Sequence, residues 1–418
     1  MPKRLTAACQ PPIRCGADDG MAITRNNGIP VLALVGLAVV CGLSVANVYF
    51  NQALLPLLAT ALQVGTGEVS WIATASQLGY ALGMLLIVPL GDRLDPRRLC
   101  QALLVWTAVM LGLASITSSL AGLATLSALV CMGTCIPQVM LPYVAGLSCA
   151  QHRSRNLALL QTGLVAGILL SRSLAGLLSE LAGWQAVYRC AALGMLACAL
   201  ALPGLIDARP RTTGAPGYAQ LMYSMAGLLR VEPLLRLSCV LGASLFAAFS
   251  AFWSVIAFKL QASPLGLSNA DIGIFSFWGA LAGLLTPMAG KLCDRYGTVA
   301  MSILSIVLAC LAFTLLISWP QLGVLLLGAN LLCFALQLGQ VCNQSRIFSL
   351  SAEYRSRLNT VYMVCNFCGG ALGSAMGGWL WQHWHWKGPL LFGLACSLGA
   401  GATLFTMLRP HTGTLPSQ

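Results

Sequence analysis

Polar and apolar positions along this chain do not alternate as they would in strands, nor do they form the narrow apolar stripes of water-facing helices. Apolar residues instead persist for about 18 or more positions at a time, the pattern of membrane-crossing helices. A helix rising about 1.5 Å per residue needs about 20 such residues to cross the hydrocarbon. Twelve runs meet this description, at about 30–58, 68–90, 99–118, 122–146, 157–179, 186–206, 237–260, 270–290, 299–318, 321–344, 359–381 and 388–408. Most connections are short. The stretch 207–236, "DARPRTTGAPGYAQLMYSMAGLLRVEPLLR", is linker-like and divides six runs from six. The pattern predicts an all-α membrane protein with twelve transmembrane helices. Its expected parts are a disordered tail (1–29), a six-helix bundle (30–206), a linker (207–236), a second six-helix bundle (237–408) and a short tail (409–418). No apolar run precedes residue 29, so no signal peptide is expected.

Composition supports lipid as the solvent. The 418 residues are 58% hydrophobic and 8% charged, against roughly 25% charged in soluble domains. Lys and Arg fix an orientation. With the N-terminus inside, nineteen fall on the cytoplasmic side, three (Arg189, Lys259, Lys387) fall outside, and Arg172 lies within a span. The positive-inside rule then places both termini in the cytoplasm. The net charge of +12 follows from these topogenic residues facing anionic lipid, and no nucleic-acid partner is expected. Most of the seventeen cysteines fall inside the runs, where cysteine is a small hydrophobe. The C-x-x-C at Cys365 and Cys368 lacks a second ligand pair, and His383 and His385 sit in an aromatic belt, "WQHWHWK". Neither metal nor cofactor is expected.

A repeat emerges at an offset of 202 residues. It carries Asp92 to Asp294, "RSR" at 153–155 to "RSR" at 355–357, Gln138 to Gln340, Gly167 to Gly369, Gly176 to Gly378 and Trp184 to Trp386. Six is even, so both bundles enter from one side as parallel repeats. Such repeats hold a substrate path near the midplane between them.

Polar residues inside the runs sort by helical spacing. Asn47 and Asn51 share a face of span 1. Span 10 carries a stripe of Asn330, Gln337, Gln340 and Gln344, span 11 has Asn359, Tyr362 and Asn366, span 2 has Gln77 and Tyr80, and span 4 has Gln138 and Tyr143. Several such faces imply a shared wet interior. Interhelical hydrogen bonding is the competing explanation for each residue. Arg172 differs: an intramembrane charge points to a functional site. It is expected either to face the cavity, with substrate or Glu68 as its partner, or to snorkel outward. The pairs Gly79/Gly83 and Gly163/Gly167 are expected to allow close approach at moving seams. All eleven carboxylates lie at termini, in loops or near span ends. No histidine sits mid-span and no phosphate loop occurs, so neither an enzyme nor an ATP-driven pump is expected.

The loop after span 2, "VPLGDRLDPRRL", and that after span 8, "GKLCDRYG", resemble the G-x-L-x-D-R-x-G-R-R signature of the major facilitator superfamily. The first keeps Asp92, Arg93, Arg97 and Arg98 but has Val88 and Asp95 where glycines are usual. The second keeps Asp294 and Arg295 and departs at Thr298. "NVYFNQALLP" in span 1 is similar to the N-x-Y-x-N-Q-P-L-L of a bacterial drug and sugar efflux branch, with Ala53 replacing a proline. That branch also carries an arginine in span 5, as Arg172 does. The resemblance implies a multi-pass secondary transporter of the bacterial inner membrane, a monomer that exports a small organic solute or drug by alternating access. It implies protons as coupling partner, although no mid-membrane carboxylate is visible. It implies a cavity lined by spans 1, 4, 7 and 10, which suits Asn47, Asn51, Gln138, Gln340 and Gln344; Gln77 and Arg172 complete the candidate substrate cavity. It assigns Asp92, Arg93, Arg97, Arg98, Asp294 and Arg295 to gating loops. A carboxylate there can hold a neighbouring helix N-terminus or an arginine in one conformation and release it in another. An uptake or facilitated-diffusion transporter of the same fold and a non-transporting relic or sensor are the alternatives.

Overall fold

The computed structural model describes residues 29–148, 150–206, 217–351 and 354–408. Residues 1–28 and 409–418 of the expected tails, and 207–216 of the linker, lie outside the described residues. The first half holds α1 (Val31–Leu62), α2 (Thr66–Leu86), α3 (Pro96–Ala114), α4 (Leu120–Gly133), α5 (Ile136–Leu147), α6 (Ala150–Ala182) and α7 (Trp184–Leu205). After α8 (Tyr218–Val231), the second half holds α9 (Pro233–Gln261), α10 (Asn269–Gly279), α11 (Thr286–Tyr296), α12 (Thr298–Ser318), α13 (Leu322–Phe348), α14 (Arg355–Trp384) and α15 (Lys387–Leu408). Helix α8 occupies part of the expected linker. It buries Leu221 and Met225, one turn apart, and Tyr218 donates its hydroxyl to the Leu86 carbonyl at 2.9 Å.

Among the described residues, eleven spans are long and apolar enough to cross a membrane, with α4–α5 and α10–α11 each counted as one. The twelfth expected span is α14. It is 30 residues long but is diluted by Asn359, Asn366 and a series of glycines. Its position accounts for this, because α14 packs against α9 in its own half and against α2 in the other. A helix that faces protein on two sides uses small residues for close approach rather than bulk for lipid. Helix α6 begins at Ala150, earlier than the expected 157. Hydropathy reports contact with lipid, and the polar residues 151–156 continue the helix beyond it.

Two spans are broken. Span 4 divides into α4 and α5 just before Pro137, and span 8 into α10 and α11 around a 3-10 turn, Leu281–Leu285. A break leaves backbone groups unpaired, which is costly in a membrane unless a side chain takes them. Asn330 of α13 does so in span 8. Its Oδ1 accepts from the Ala282 N–H at 3.0 Å, and its Nδ2 donates to the carbonyls of Trp278 at 2.8 Å and Leu326 at 3.0 Å. Asn330 therefore leaves the expected polar stripe and acts as a staple.

The repeat is visible in the packing. Gly163 and Gly167 of α6 press on the backbone of Ala38 and Gly42 in α1, and Gly369 and Gly373 of α14 press on Ala243 and Ala247 in α9. Gly183 (φ 81) and His385 (φ 48), at the same offset of 202, both turn the chain through the left-handed region before the next helix. The Gly79/Gly83 pair of α2 packs on Ala128 and Met132 of α4. Both expected glycine pairs thus lie inside one bundle and not at a seam between bundles.

Two other seams join the halves. Along α2 and α14, Gly67 and Ser70 meet Gly378, and the rings of Tyr80 and Phe367 lie 4.3 Å apart. Along α6 and α10, Gly176 meets Asn269 and Gly273. There Ser173 donates its hydroxyl to the Gly273 carbonyl at 2.9 Å, and Glu180 accepts the Ala270 N–H at 2.8 Å. The glycine contacts gather at the helix ends away from the arginine-bearing loops. Towards the arginine-rich face, α5 and α13 form no comparable seam among the described residues.

Candidate functional site: a buried arginine between the halves

Arg172 lies ten residues before the end of α6 at Ala182, about 15 Å from that face and close to mid-membrane. It is 2% exposed, so it does not snorkel. Its Nη2 donates to Gln52 Oε1 of α1 at 2.7 Å. The guanidinium lies 4.1 Å from the centroid of the Trp253 ring of α9 and 5.3 Å from that of Tyr49 of α1. The Cys333 thiol of α13 lies within electrostatic reach. Four helices from both halves thus converge on one charge. One buried donor at this point, Arg172 Nε, has no hydrogen-bond acceptor, and the Trp253 N–H lies against the Cys333 thiol.

No carboxylate among the described residues pairs with this charge. Among the described residues the ion pair found is Arg98 to Asp95, at 3.8 Å. Glu68, the expected partner, instead accepts the Gly65 N–H at 3.0 Å and caps α2. An arginine buried without a counter-charge bears a desolvation penalty of several kcal/mol. Cation–π contact returns about 0.5–2 kcal/mol of it.

The other candidate residues divide into separate groups. Asn51 is buried next to this site and donates to Ser76 Oγ at 2.7 Å, which leaves its Oδ1 unpaired. Gln77 is also buried, with an unpaired Oε1. Gln138 is half-buried and sits against the Tyr80 hydroxyl. Gln344 donates to Asn359 Oδ1 at 3.4 Å, and Gln340 approaches Met363 Sδ at 3.7 Å; both are half-buried towards the arginine-rich face. Asn47 does not join them. Its amide donates to the Leu43 carbonyl at 2.9 Å and lies 3.5 Å from Met195 Sδ of α7, inside the first bundle. Arg346, counted above among topogenic residues, is 7% exposed. It donates to Asn343 Oδ1 at 2.8 Å, Ser302 Oγ at 3.0 Å and Ser238 Oγ at 3.3 Å.

At the loops, the Asp92 side chain lies outside the described residues. Asp95, the departure from the signature, caps α3 by accepting the Arg97 N–H at 3.2 Å and pairs with the exposed Arg98. Arg93 is half-buried. Asp294 is exposed at the end of α11 and, among the described residues, has no ion pair or hydrogen bond that would make it a latch in this arrangement. Arg295 lies over the Tyr296 ring, 5.2 Å from its centroid. No group of three or more possible metal ligands occurs among the described residues.

Gln52, Trp253 and Cys333 were not legible as site residues. Trp253 and Cys333 sit inside apolar runs, where tryptophan and cysteine read as filling. One signal was available: the 202-residue offset carries Asn51 onto Trp253.

The comparisons agree with this architecture. The description Major Facilitator Superfamily matches residues 37–263 and 239–418. "Uncharacterized transporter YgaY" of Escherichia coli O157:H7 is 33% identical over 377 residues, 89% of this chain and 95% of the relative. "Probable transporter SCO4007" of Streptomyces coelicolor is 34% identical over 354 residues, 84% of this chain and 82% of the relative. The crystal structure of a bacterial homologue of the human lysosomal transporter Spinster superposes with a TM-score of 0.70 at 15% identity, covering 90% of this chain and 96% of that one. With family matches across both halves and transporter relatives along most of its length, this chain belongs to the Major Facilitator Superfamily and is a membrane transporter, not an enzyme.

Proposed function

We propose that the protein exports a small organic solute across a bacterial inner membrane by alternating access, as a monomer with both termini in the cytoplasm. The observation that carries this reading is the asymmetry of the interface. The halves are sealed by glycine contacts on the arginine-poor face, while Gln138, Gln340 and Gln344 stay half-buried towards the arginine-rich face. With the arginines inside, this is the state that receives solute from the cytoplasm. Export as the direction draws on the likeness of "NVYFNQALLP" to the efflux branch.

Proton coupling has little support in the side chains. Glu68, Asp95, Glu180 and Asp271 accept from backbone N–H groups at or beside helix N-termini, and Asp294 is exposed. None is placed to carry a proton through mid-membrane. In proteoliposomes loaded with a panel of radiolabelled organic solutes, at least one is expected to leave faster than from protein-free vesicles. Its flux is expected to persist when the pH gradient is removed at a fixed potential. Loss of flux with the gradient would restore a proton-coupled antiporter. Binding without flux for every solute would favour the relic or sensor.

A further inference from the structure

We propose that Arg172 is the binding site for a small organic monoanion, whose carboxylate takes the place that the Trp253 ring occupies in this arrangement. The inference rests on the transport reading above and names the substrate class that the same interface would carry.

The site is a buried, donor-rich cluster around one charge. The guanidinium offers five N–H donors in a planar fork, and Gln52 Oε1 accepts from it. Arg172 Nε is buried without an acceptor, and the Trp253 N–H has only the weak sulfur acceptor of Cys333 beside it. A buried, unanswered N–H on a permanent positive charge calls for a ligand that brings acceptors and one negative charge. A carboxylate supplies both, since its two oxygens match the guanidinium fork in a bidentate pair. A cationic solute would meet repulsion here. A neutral solute could fill the acceptor positions but would leave the charge unpaired in a low-dielectric setting.

The location fits a carried ligand. Arg172 belongs to the first half and Trp253 to the second, with Gln52 on α1 and Cys333 on α13 completing the ring. The cation–π contact therefore crosses the boundary between the halves. A solute arriving from the arginine-rich side displaces Trp253 to reach the guanidinium, and when the halves then part on the arginine-poor face the loaded site is uncovered to the outside. This gives the carrier two ways to close around its charge. When empty, it closes with Trp253, Tyr49 and Gln52 around Arg172. When loaded, it closes with the carboxylate paired to Arg172. An inside-negative membrane potential favours outward movement of an anion, so export of this class needs no proton-carrying carboxylate.

The test uses purified full-length protein in lipid nanodiscs. The probes are benzoate, hexanoate and indoleacetate, each set against its uncharged amide and its amine analogue, with the thermal unfolding midpoint as the readout. A ligand that binds only the folded protein raises that midpoint with concentration. At least one carboxylate is expected to raise it while its amide and amine do not. Arg172→Gln is expected to weaken the apparent Kd about tenfold or more, and Arg172→Lys is expected to keep part of the response. Trp253→Phe, whose ring holds a cation less strongly and so competes less for Arg172, is expected to tighten carboxylate binding while leaving the amides without effect. If Arg172→Gln does not fold, the matched probes on the wild type and Trp253→Phe decide the matter. The proposal is overturned if no carboxylate stabilises the wild type, if amides or amines do so equally, or if Arg172→Gln binds carboxylates unchanged. Flux of neutral or cationic solutes alone would overturn the substrate class and leave the transport reading standing. Carboxylate binding without flux of any solute would leave the site standing and remove the transport reading.

Discussion

Oxidative cross-linking of Gly67→Cys to Gly378→Cys is expected to stop transport while leaving the protein folded, and reduction is expected to restore it. A Cβ added at Gly67 would lie 3.1 Å from the Gly378 carbonyl, and one added at Gly378 would lie 3.0 Å from the Gly67 carbonyl. The two backbones are thus in direct contact, and because a Cβ at Gly378 would also meet Ser70 Cβ, the pair is built with Ser70→Gly to make room. The pair sits at the first turn of α2 and the last two turns of α14, on the arginine-poor face. If the halves part there to release solute, a covalent bond at that point removes the step outright. The exposed native Cys190 and Cys368 are first replaced by serine, and each single variant serves as its own control. The measurement is solute flux in proteoliposomes before and after reduction. Undiminished flux with the cross-link in place would mean that this seam does not open.

The largest effect on the fold is expected from Asn330→Leu. Removing the amide orphans the Ala282 N–H and the Trp278 carbonyl where span 8 is broken. An unsatisfied buried polar group costs about 1–3 kcal/mol, so the pair is expected to cost about 2–6 kcal/mol. Polar pairs in membranes can fall below this range when neighbouring groups re-pair, and the existing 3-10 turn limits such relief. Gln337→Leu, on the same helix and half-buried, is the control and is expected to change stability by less than about 0.5 kcal/mol. Unfolding in mixed micelles measures both variants. Equal stability of the two would show that Asn330 is not a staple.

The sequence revealed the fold more completely than the site, for physical reasons. Lipid as solvent imposes a pattern of about 20 apolar residues per span, and helix–helix contact in lipid favours glycine. Span count and the repeat could therefore be read from runs and an offset. The exception, α14, is informative, because its enclosure between α9 and α2 relaxed the pattern that reports lipid. Side-chain partners are different, since they depend on rotations and breaks that spacing does not encode. Asn47 and Asn51 share a face, yet Asn47 turns towards Met195 and Asn51 towards Ser76. Asn330 fell into a polar stripe by spacing, but the break in span 8 claimed it. Arg172 stood out because a charge in mid-span has no bland role. Its aromatic cover could not be read from the sequence, because Trp253 lies in an apolar run on the other half.

The central claim is that the two faces open in turn. It is tested most directly by paired spin-label distances in lipid nanodiscs, with one pair on the exposed positions Ser118 and Gln321 and another on Arg155 and Arg295. Alternation requires two populations at each face, with a short distance on one face accompanying a long distance on the other. Oxidising the Gly67→Cys/Gly378→Cys pair should retain only the short distance between positions 118 and 321 and the long distance between 155 and 295. A single distance at each face, or both faces widening together, would contradict alternating access in this protein.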